Sequence, residues 1–436
     1  MLTARWHAER RAELLEQLPD NTIAVLPANP ELIRNNDAEY PFRQHSNFLY
    51  LTGFNEPDAL MVLRKQGNSS ESILFVRPKD PAAEIWTGFR AGTEGATQAY
   101  GFDRAFTIDQ IDAELPKLMD GAEFVAYPLN ENKAFANRVF DWMETLAKGI
   151  RRGSAAPEAT LDLADYIHEM RLVKTPEELA IMREAGRISA EGHIAAMMAA
   201  KPGCYEYQLE AEILHTFVRQ GARFPAYNSI VGGGANACIL HYIENNKAIN
   251  DGDLVLIDAG AEVHGYAGDI TRTFPVNGRF TGEQRAVYDI VLEAMKASID
   301  ELKIGNHCKT FHEKSTRILT QGMVDLGLLQ GDVDGLIESG AHTRYFMHGT
   351  GHHIGLDVHD VGRYKLDGEW RMWQPGMVTT VEPGIYIQAN DERAPEGFRG
   401  IGIRIEDDLV LTEAEPENLT AQVPKEADDI EALMRG

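Results

Sequence analysis

The sequence predicts two domains: a mixed α/β domain over residues 1–174 and an α+β domain with an antiparallel sheet over residues 175–436. Three observations carry that expectation. Short β-type runs alternate with Gly, Pro and Asn breakers from Thr22 to about Phe106, and longer helical patterns follow. A small-residue stretch, GSAAPEA at 153–159, lies just ahead of a strong helix start. Beyond that helix, strand-like runs separated by glycines come both before and after a helical pair.

The elements follow in order. The opening MLTARWHAERRAELLEQL is a charged amphipathic pattern without the apolar core of a signal peptide. TIAVLPA, FLYLTGF, ALMVLRK and SILFVRP read as strands, and residues 131–148 as helix. Thr175 can cap the next helix, Pro176 takes its first position and Glu178 completes a capping box, which places the domain boundary at residues 170–175. A second helical pattern covers Glu206 to Gln220, a glycine turn covers Gly232 to Gly234, and LVLIDAG and GDITRTFPV read as strands. Helices near 282–303 and 309–327 precede Gly-punctuated strands from Phe346 to Glu406, and PKEADDIEALMRG closes the chain as a short surface helix. No internal repeat is visible.

With 436 residues, the chain is long enough for two or three domains of roughly 150 residues each. Its 44% hydrophobic and 25% charged residues argue against wholesale disorder and against a fibre. Lys plus Arg number 42 against 67 Asp plus Glu, giving a formal charge of −25 that repels phosphate backbones and anionic lipid. No nucleic-acid or membrane partner is expected. The same excess leaves carboxylates free for hard cations. Cys204, Cys238 and Cys308 are widely spaced and odd in number, which suits a reducing, cytoplasmic compartment and gives neither a disulfide framework nor a CxxC metal site.

The chemistry concentrates in five motifs. In LVLIDAG an apolar run leads straight into Asp258, where an ionised carboxylate is costly to bury unless a cation or donors compensate it. A strand-end turn aspartate is the alternative. In GDITRTF, strand alternation puts Asp269, Thr271 and Thr273 on one face, so two adjacent strands could bring Asp258 and Asp269 together. In RGIGIRIEDD, Ile401, Ile403 and Ile405 share one face and Gly402, Arg404 and Glu406 the other; an exposed surface ion pair is the competing reading. Glu382 ends the apolar run VTTV before a Pro-Gly turn, where it could also be a solvated turn glutamate.

The densest signal is FMHGTGHHIGLDVHDVG, with His348, His352, His353 and His359 among glycines. His348 and His352 are spaced as in a zinc helix, but the glycines oppose a helix and the glutamate after the first histidine is missing. A phosphate loop is excluded too, because no Lys-Ser/Thr pair follows and the surroundings are acidic. What remains is a close backbone approach, permitted by glycine, that presents imidazoles to a site. Four carboxylates and an imidazole would suit two divalent ions, with manganese expected and cobalt or zinc as alternatives. Such a pair lowers the pKa of a shared water from 15.7 towards roughly 7, which implies hydrolysis.

These motifs, in this order, resemble the signature of the pita-bread metallopeptidases, a family that includes methionine aminopeptidase, prolidase and Xaa-Pro aminopeptidase. DAEYPFRQHSNFLYLTGFNEPDA extends the resemblance across nearly the whole chain, towards the bacterial Xaa-Pro aminopeptidase (aminopeptidase P) branch. The resemblance implies a creatinase-like first domain and a pita-bread catalytic domain. It implies Asp258, Asp269, His352, Glu382 and Glu406 as ligands of two ions per subunit, with Asp269 and Glu406 shared between them. It further implies that a metal-bridging hydroxide attacks the carbonyl before proline. On the same basis Glu382 shuttles the proton, His241 and His359 hold the substrate and the tetrahedral intermediate, and Arg404 orients the carboxylates. His348 matches a position behind the ligands or beside the substrate. Asp37 and Trp86 match substrate-contacting positions, with Trp86 reaching a neighbouring subunit's site or else packing in a core. His353 falls where relatives vary. Substrates would be peptides with proline second, and the assembly a homo-oligomer, a tetramer by analogy.

Three other readings compete. Prolidase shares the metal centre and differs in cleaving only dipeptides. A metal-free amidinohydrolase would have no use for five ligands, and a non-catalytic peptide-binding module would not need to keep them.

Overall fold

The computed structural model describes residues 1–435. The chain divides into two compact units, Met1–Arg171 and Leu172–Gly436. The expected boundary between residues 174 and 175 falls at the cap of the long helix Pro176–Ala199. There the Thr175 hydroxyl accepts from the Glu178 amide at 3.4 Å, and the Glu178 carboxylate accepts from the Thr175 amide at 2.8 Å.

The first unit is built on a six-stranded mixed sheet. Its strands run in the spatial order Arg104–Thr107, Ser69–Val76, Leu60–Gln66, Thr22–Pro27, Phe124–Tyr127 and Ala159–Asp162. The three hydrophobic runs at its centre pair antiparallel, and the outer pairings are parallel. Ile23, Val25, Val62 and Phe75 pack on one face against Leu115, Val139 and Trp142 from the helices Ile111–Met119 and Lys133–Lys148.

FLYLTGF is not the strand its β-formers suggest. Its first five residues lie in the helix Ser46–Thr52, which buries Phe48, Tyr50 and Leu51 and is closed by Gly53 in the left-handed conformation, φ +64°. Tertiary burial on nearly every side overrides local strand preference here. The glycine that ends the helix also leaves room for His7, because a Cβ there would sit 2.5 Å from its ring nitrogen.

In the second unit every strand pairing is antiparallel, but the strands form several small sheets rather than one. Ile230–Gly233, Leu254–Asp258 and Thr271–Pro275 make one, with Asp258 opposite Thr271; Val378–Val381, Asp407–Val410 and Glu417–Asn418 make another. GIRIEDD is split between two of these. Gly402–Arg404 pairs with Gly384–Tyr386, and the chain then crosses to pair Asp407–Val410 with Val378–Val381. The helices Gly282–Ile299 and Thr310–Asp325 cover one core, to which Ile257, Ile270, Phe274, Ile403 and Ile405 contribute. The C-terminal helix Ala427–Arg435 is amphipathic and anchors through Ile430, which is fully buried.

Candidate metal centre

The two aspartates meet because their strands do. Asp258 ends the strand Leu254–Asp258, and Asp269 lies just before its partner Thr271–Pro275 rather than within it. The backbone between them folds so tightly that a Cβ on Gly260 would lie 1.6 Å from the Gly268 carbonyl oxygen. Only glycine permits that crossing. The Asp269 amide donates to Asp408 Oδ2 at 2.9 Å, which fixes the turn from the opposite side.

The histidine loop is laced to the strand Val378–Val381. The Thr380 amide donates to the His352 carbonyl at 2.9 Å, the Thr380 hydroxyl accepts from the His352 amide at 3.1 Å, and the Thr379 hydroxyl donates to the His352 carbonyl at 3.0 Å. Gly351 is where the two backbones press closest, since a Cβ there would stand 1.9 Å from the Thr380 oxygen. The glycines therefore serve the approach that brings His352 beside Glu382. His352 Nδ1 donates to the His353 carbonyl at 3.0 Å, which leaves Nε2 free to face Asp269 and Glu382, each at 3.5 Å.

Asp258, Asp269, His352, Glu382 and Glu406 all line one cavity of about 560 Å³, which His241, His348, His359 and Arg404 also line. Within the cluster, Asp269, His352 and Glu406 offer ligand atoms within 4.8 Å of one another, a grouping that can hold a metal ion. The exposed-salt-bridge reading of GIRIEDD fails, because Arg404 and Glu406 are both buried. Glu382 is likewise only partly accessible, not a solvated turn residue.

Arg404 organises the carboxylates. Its Nη2 donates to Asp258 at 2.6 Å, its Nε to the Thr271 hydroxyl at 3.1 Å and its Nη1 to the Tyr386 hydroxyl at 3.0 Å. Thr271 passes the contact on, donating to Glu406 at 2.6 Å. Tyr386 in turn bonds His348 Nε2 at 2.8 Å, and His348 Nδ1 donates to the Gly349 carbonyl at 2.7 Å. His359 stands edge-on to His352, with ring centroids 4.3 Å apart.

The electrostatics call for a cation. Burial raises the carboxyls of Asp269, Glu382 and Glu406, and their mutual repulsion adds to it; Glu382 reaches about 7 and Glu406 goes well above the usual range. Burial works against a charge on His352, but Asp269 and Glu382 more than offset it, to about 9. One guanidinium and one imidazole thus face four carboxylates. An oxygen-rich set with a single nitrogen, short of positive charge, matches hard or borderline divalent ions.

Three participants escaped sequence reasoning. The Tyr227 hydroxyl donates to Asp258 at 2.5 Å and also hydrogen-bonds Asp269. Tyr386 and Asp408 complete the frame. Tyr386 interrupts a strand of Gly and Ile, and Asp408 closes a run of three acids, so both left a trace; Tyr227, in an irregular segment, left none. Asp407, between Glu406 and Asp408, faces the opposite way and pairs with Arg272 at 2.7 Å in the core.

His353 does not line the cavity; it is buried and stacks on Tyr364 with centroids 4.4 Å apart. Asp37 and Trp86 belong to the first unit. Asp37 is exposed and accepts from Asn36 Nδ2 at 3.2 Å. Trp86 is 87% exposed, so the core-packing alternative for it is wrong.

Comparison with known proteins agrees with this geometry. Residues 180–413 match the model of metallopeptidase family M24, and residues 7–127 match the aminopeptidase P N-terminal domain. The chain is 51% identical to the Xaa-Pro aminopeptidase of Escherichia coli (strain K12), over 98% of this chain and 96% of that protein. It is 38% identical to Xaa-Pro aminopeptidase 3 of Homo sapiens, over 95% of this chain and 81% of that one. Among solved structures, Pseudomonas aeruginosa aminopeptidase PepP superposes with a TM-score of 0.98 at 49% identity, covering 100% of this chain and 98% of that one. Zinc-substituted E. coli aminopeptidase P in complex with product superposes at 0.97, again at 49% identity and the same coverage. Matched by its family model over more than half its length and by relatives from end to end, the chain belongs to metallopeptidase family M24, with an aminopeptidase P N-terminal domain ahead of a pita-bread catalytic domain.

Proposed function

We propose that this chain is an Xaa-Pro aminopeptidase, releasing the first residue of peptides whose second residue is proline. The observation that carries the reading is the convergence of four carboxylates and His352 on one cavity that also receives His241, His359 and Arg404. Asp258, Asp269, His352, Glu382 and Glu406 would hold two divalent ions, Mn2+ first and Co2+ or Zn2+ as substitutes. Ions bound there would supply a water acidified towards roughly neutral pKa and would polarise the carbonyl to be attacked.

The protein's own groups do the rest. Glu382 takes the proton that the attacking water gives up and delivers it to the proline nitrogen as the C–N bond breaks. That nitrogen, which carries no N–H, would otherwise have to leave as an amide anion, so its departure needs a proton. His241 and His359 donate to the oxyanion that develops on the substrate. Arg404 holds Asp258 directly and Glu406 through Thr271, while His348 braces Tyr386 behind them. Asp37 and Trp86 are proposed as substrate contacts.

Prolidase, which the ligands alone left open, is not favoured, because the full-length relatives are Xaa-Pro aminopeptidases. The test is hydrolysis of a matched Xaa-Pro dipeptide and Xaa-Pro-Yaa tripeptide by chelator-stripped protein, with and without manganese. Metal-dependent release of the first residue from the tripeptide is expected. Cleavage of the dipeptide alone would move the assignment to prolidase, and no cleavage of either would overturn both.

We propose further that the protein works in the cytoplasm as a homo-oligomer, a tetramer by family resemblance. Its three cysteines are free and buried, and no helix among the described residues is long and apolar enough to cross a membrane. Ile85, Trp86 and Phe89 stand 82%, 87% and 93% exposed, an apolar cluster that an interface would cover. Light scattering should report a multiple of the 48.5 kDa chain, reduced in Trp86→Ala; a monomer in the unsubstituted protein would refute the assembly.

A further inference from the structure

The His241 side chain lines the cavity and is exposed, and among the described residues its imidazole makes no hydrogen bond, so the loop that carries it governs where it stands. That loop spans residues 234–249, whose regular structure is limited to the short turn Gly234–Cys238 and an isolated bridge from Ala248 to Tyr205.

One carboxylate clamps this segment. Glu206, the first residue of the helix Glu206–Arg219, is fully buried. Its Oε1 accepts from the Gly233 amide at 2.9 Å and from Asn236 Nδ2 at 2.8 Å. Its Oε2 accepts from the Tyr242 hydroxyl at 2.8 Å and from the Lys247 amide at 2.9 Å. The four donors bracket His241 on both sides in sequence, and Tyr242 is its immediate neighbour. All four are uncharged, so the acceptor-only carboxylate is matched by hydrogen bonds rather than by a cation. A buried carboxylate fully satisfied in this way resists movement, because any shift of the loop strands a charge.

We propose that Glu206 is a positioning residue for the hydrolytic reaction: it locates the His241 imidazole over the metal-centre cavity by clamping the loop that carries it. The inference rests on the role assigned to His241 above. Nothing in the sequence signals it, since Glu206 lies 35 residues from His241 and opens an ordinary amphipathic helix.

The test is a set of double-substitution cycles in Mn2+-loaded enzyme, reading kcat/KM on an Xaa-Pro-Yaa tripeptide. Glu206→Gln turns one acceptor oxygen into a donor facing donors. Alone it should lower kcat/KM about tenfold or more, because misplacement of about 1 Å costs that much or more. Its metal-to-protein ratio should not change. On a His241→Ala background the further loss should be under about twofold, whereas on a His359→Ala background it should persist in full. A merely structural Glu206 would multiply the losses equally in both backgrounds, and that result would overturn the proposal. So would a Glu206→Gln enzyme within twofold of the parent. A fully active His241→Ala enzyme would sink the role of His241 itself, and the proposal with it. Should Glu206→Gln fail to fold, Tyr242→Phe removes a single clamp bond. Its smaller loss must likewise vanish on the His241→Ala background, and a loss that persists there refutes the clamp.

Discussion

Replacing Thr271 with Val probes the frame behind the carboxylates without touching a proposed ligand. The change keeps shape and volume and deletes one hydroxyl. That hydroxyl accepts from Arg404 Nε at 3.1 Å and donates to Glu406 at 2.6 Å, in a fully buried setting. Arg404 is charged and Glu406 would be ionised when it holds a cation, and a hydrogen bond to a charged group is worth about 1.5–3 kcal/mol. One such bond lost at Glu406 frees a carboxylate that must be oriented for the ion. With 1.4 kcal/mol per factor of ten, about 1.5–3 kcal/mol converts to metal affinity weaker by roughly 10–100-fold, the range typical of groups that orient ligands. The assay is a calorimetric Mn2+ titration of chelator-stripped protein, with far-UV circular dichroism to establish that the fold persists. Affinity within twofold of the parent in a folded Thr271→Val protein would refute the argument that Thr271 couples Arg404 to Glu406.

Glu382→Gln should remain folded yet lose turnover on the tripeptide, since an amide cannot carry the proton to the proline nitrogen; substantial steady-state activity would end its assigned role. Gly260→Ala should yield little soluble protein, because its Cβ would fall 1.6 Å from the Gly268 oxygen, a collision with backbone that no rotamer relieves; a parent-like melting midpoint would contradict that crossing. The fold should also lose stability in mild acid through His7. Burial lowers its pKa from 6.5 to about 4, while Nδ1 donates to the Tyr50 carbonyl at 2.9 Å. Between those values the unfolded chain binds the extra proton, so the contribution is complete above pH 6.5 and is lost as pH falls to about 4. It amounts to about 3 kcal/mol. Urea unfolding of parent and His7→Asn across that window should show a flatter pH slope in the variant, and parallel slopes would refute it.

The proposed ligand set was legible because the chemistry of burial marks it in one dimension. Asp258 and Glu382 each end an apolar run, where an unpaired charge needs a reason, and His352 sits among glycines that no helix or surface would require. The capping box at Thr175 and the helices Lys133–Lys148 and Glu206–Arg219 were readable for the same reason, since their signals are local and periodic. FLYLTGF was misread because its residues favour strand while its surroundings bury it as helix. The break inside GIRIEDD, which sends Arg404 and Asp408 to different sheets on either side of one site, depends on partners far away in the chain.

Residue types and their order thus determined the candidate ligands, the expectation of divalent ions and the class of reaction. Only the tertiary structure decided that Tyr227 and Tyr386 join the site, that Asp407 belongs to the core while its neighbours serve the centre, and that Glu206 grips the His241 loop. The physical reason is range. Burial and backbone preference leave their mark on each residue's own neighbours in sequence, whereas a hydrogen bond between side chains distant in sequence, such as that from Arg404 to Asp258, exists only once the strands that carry them have paired.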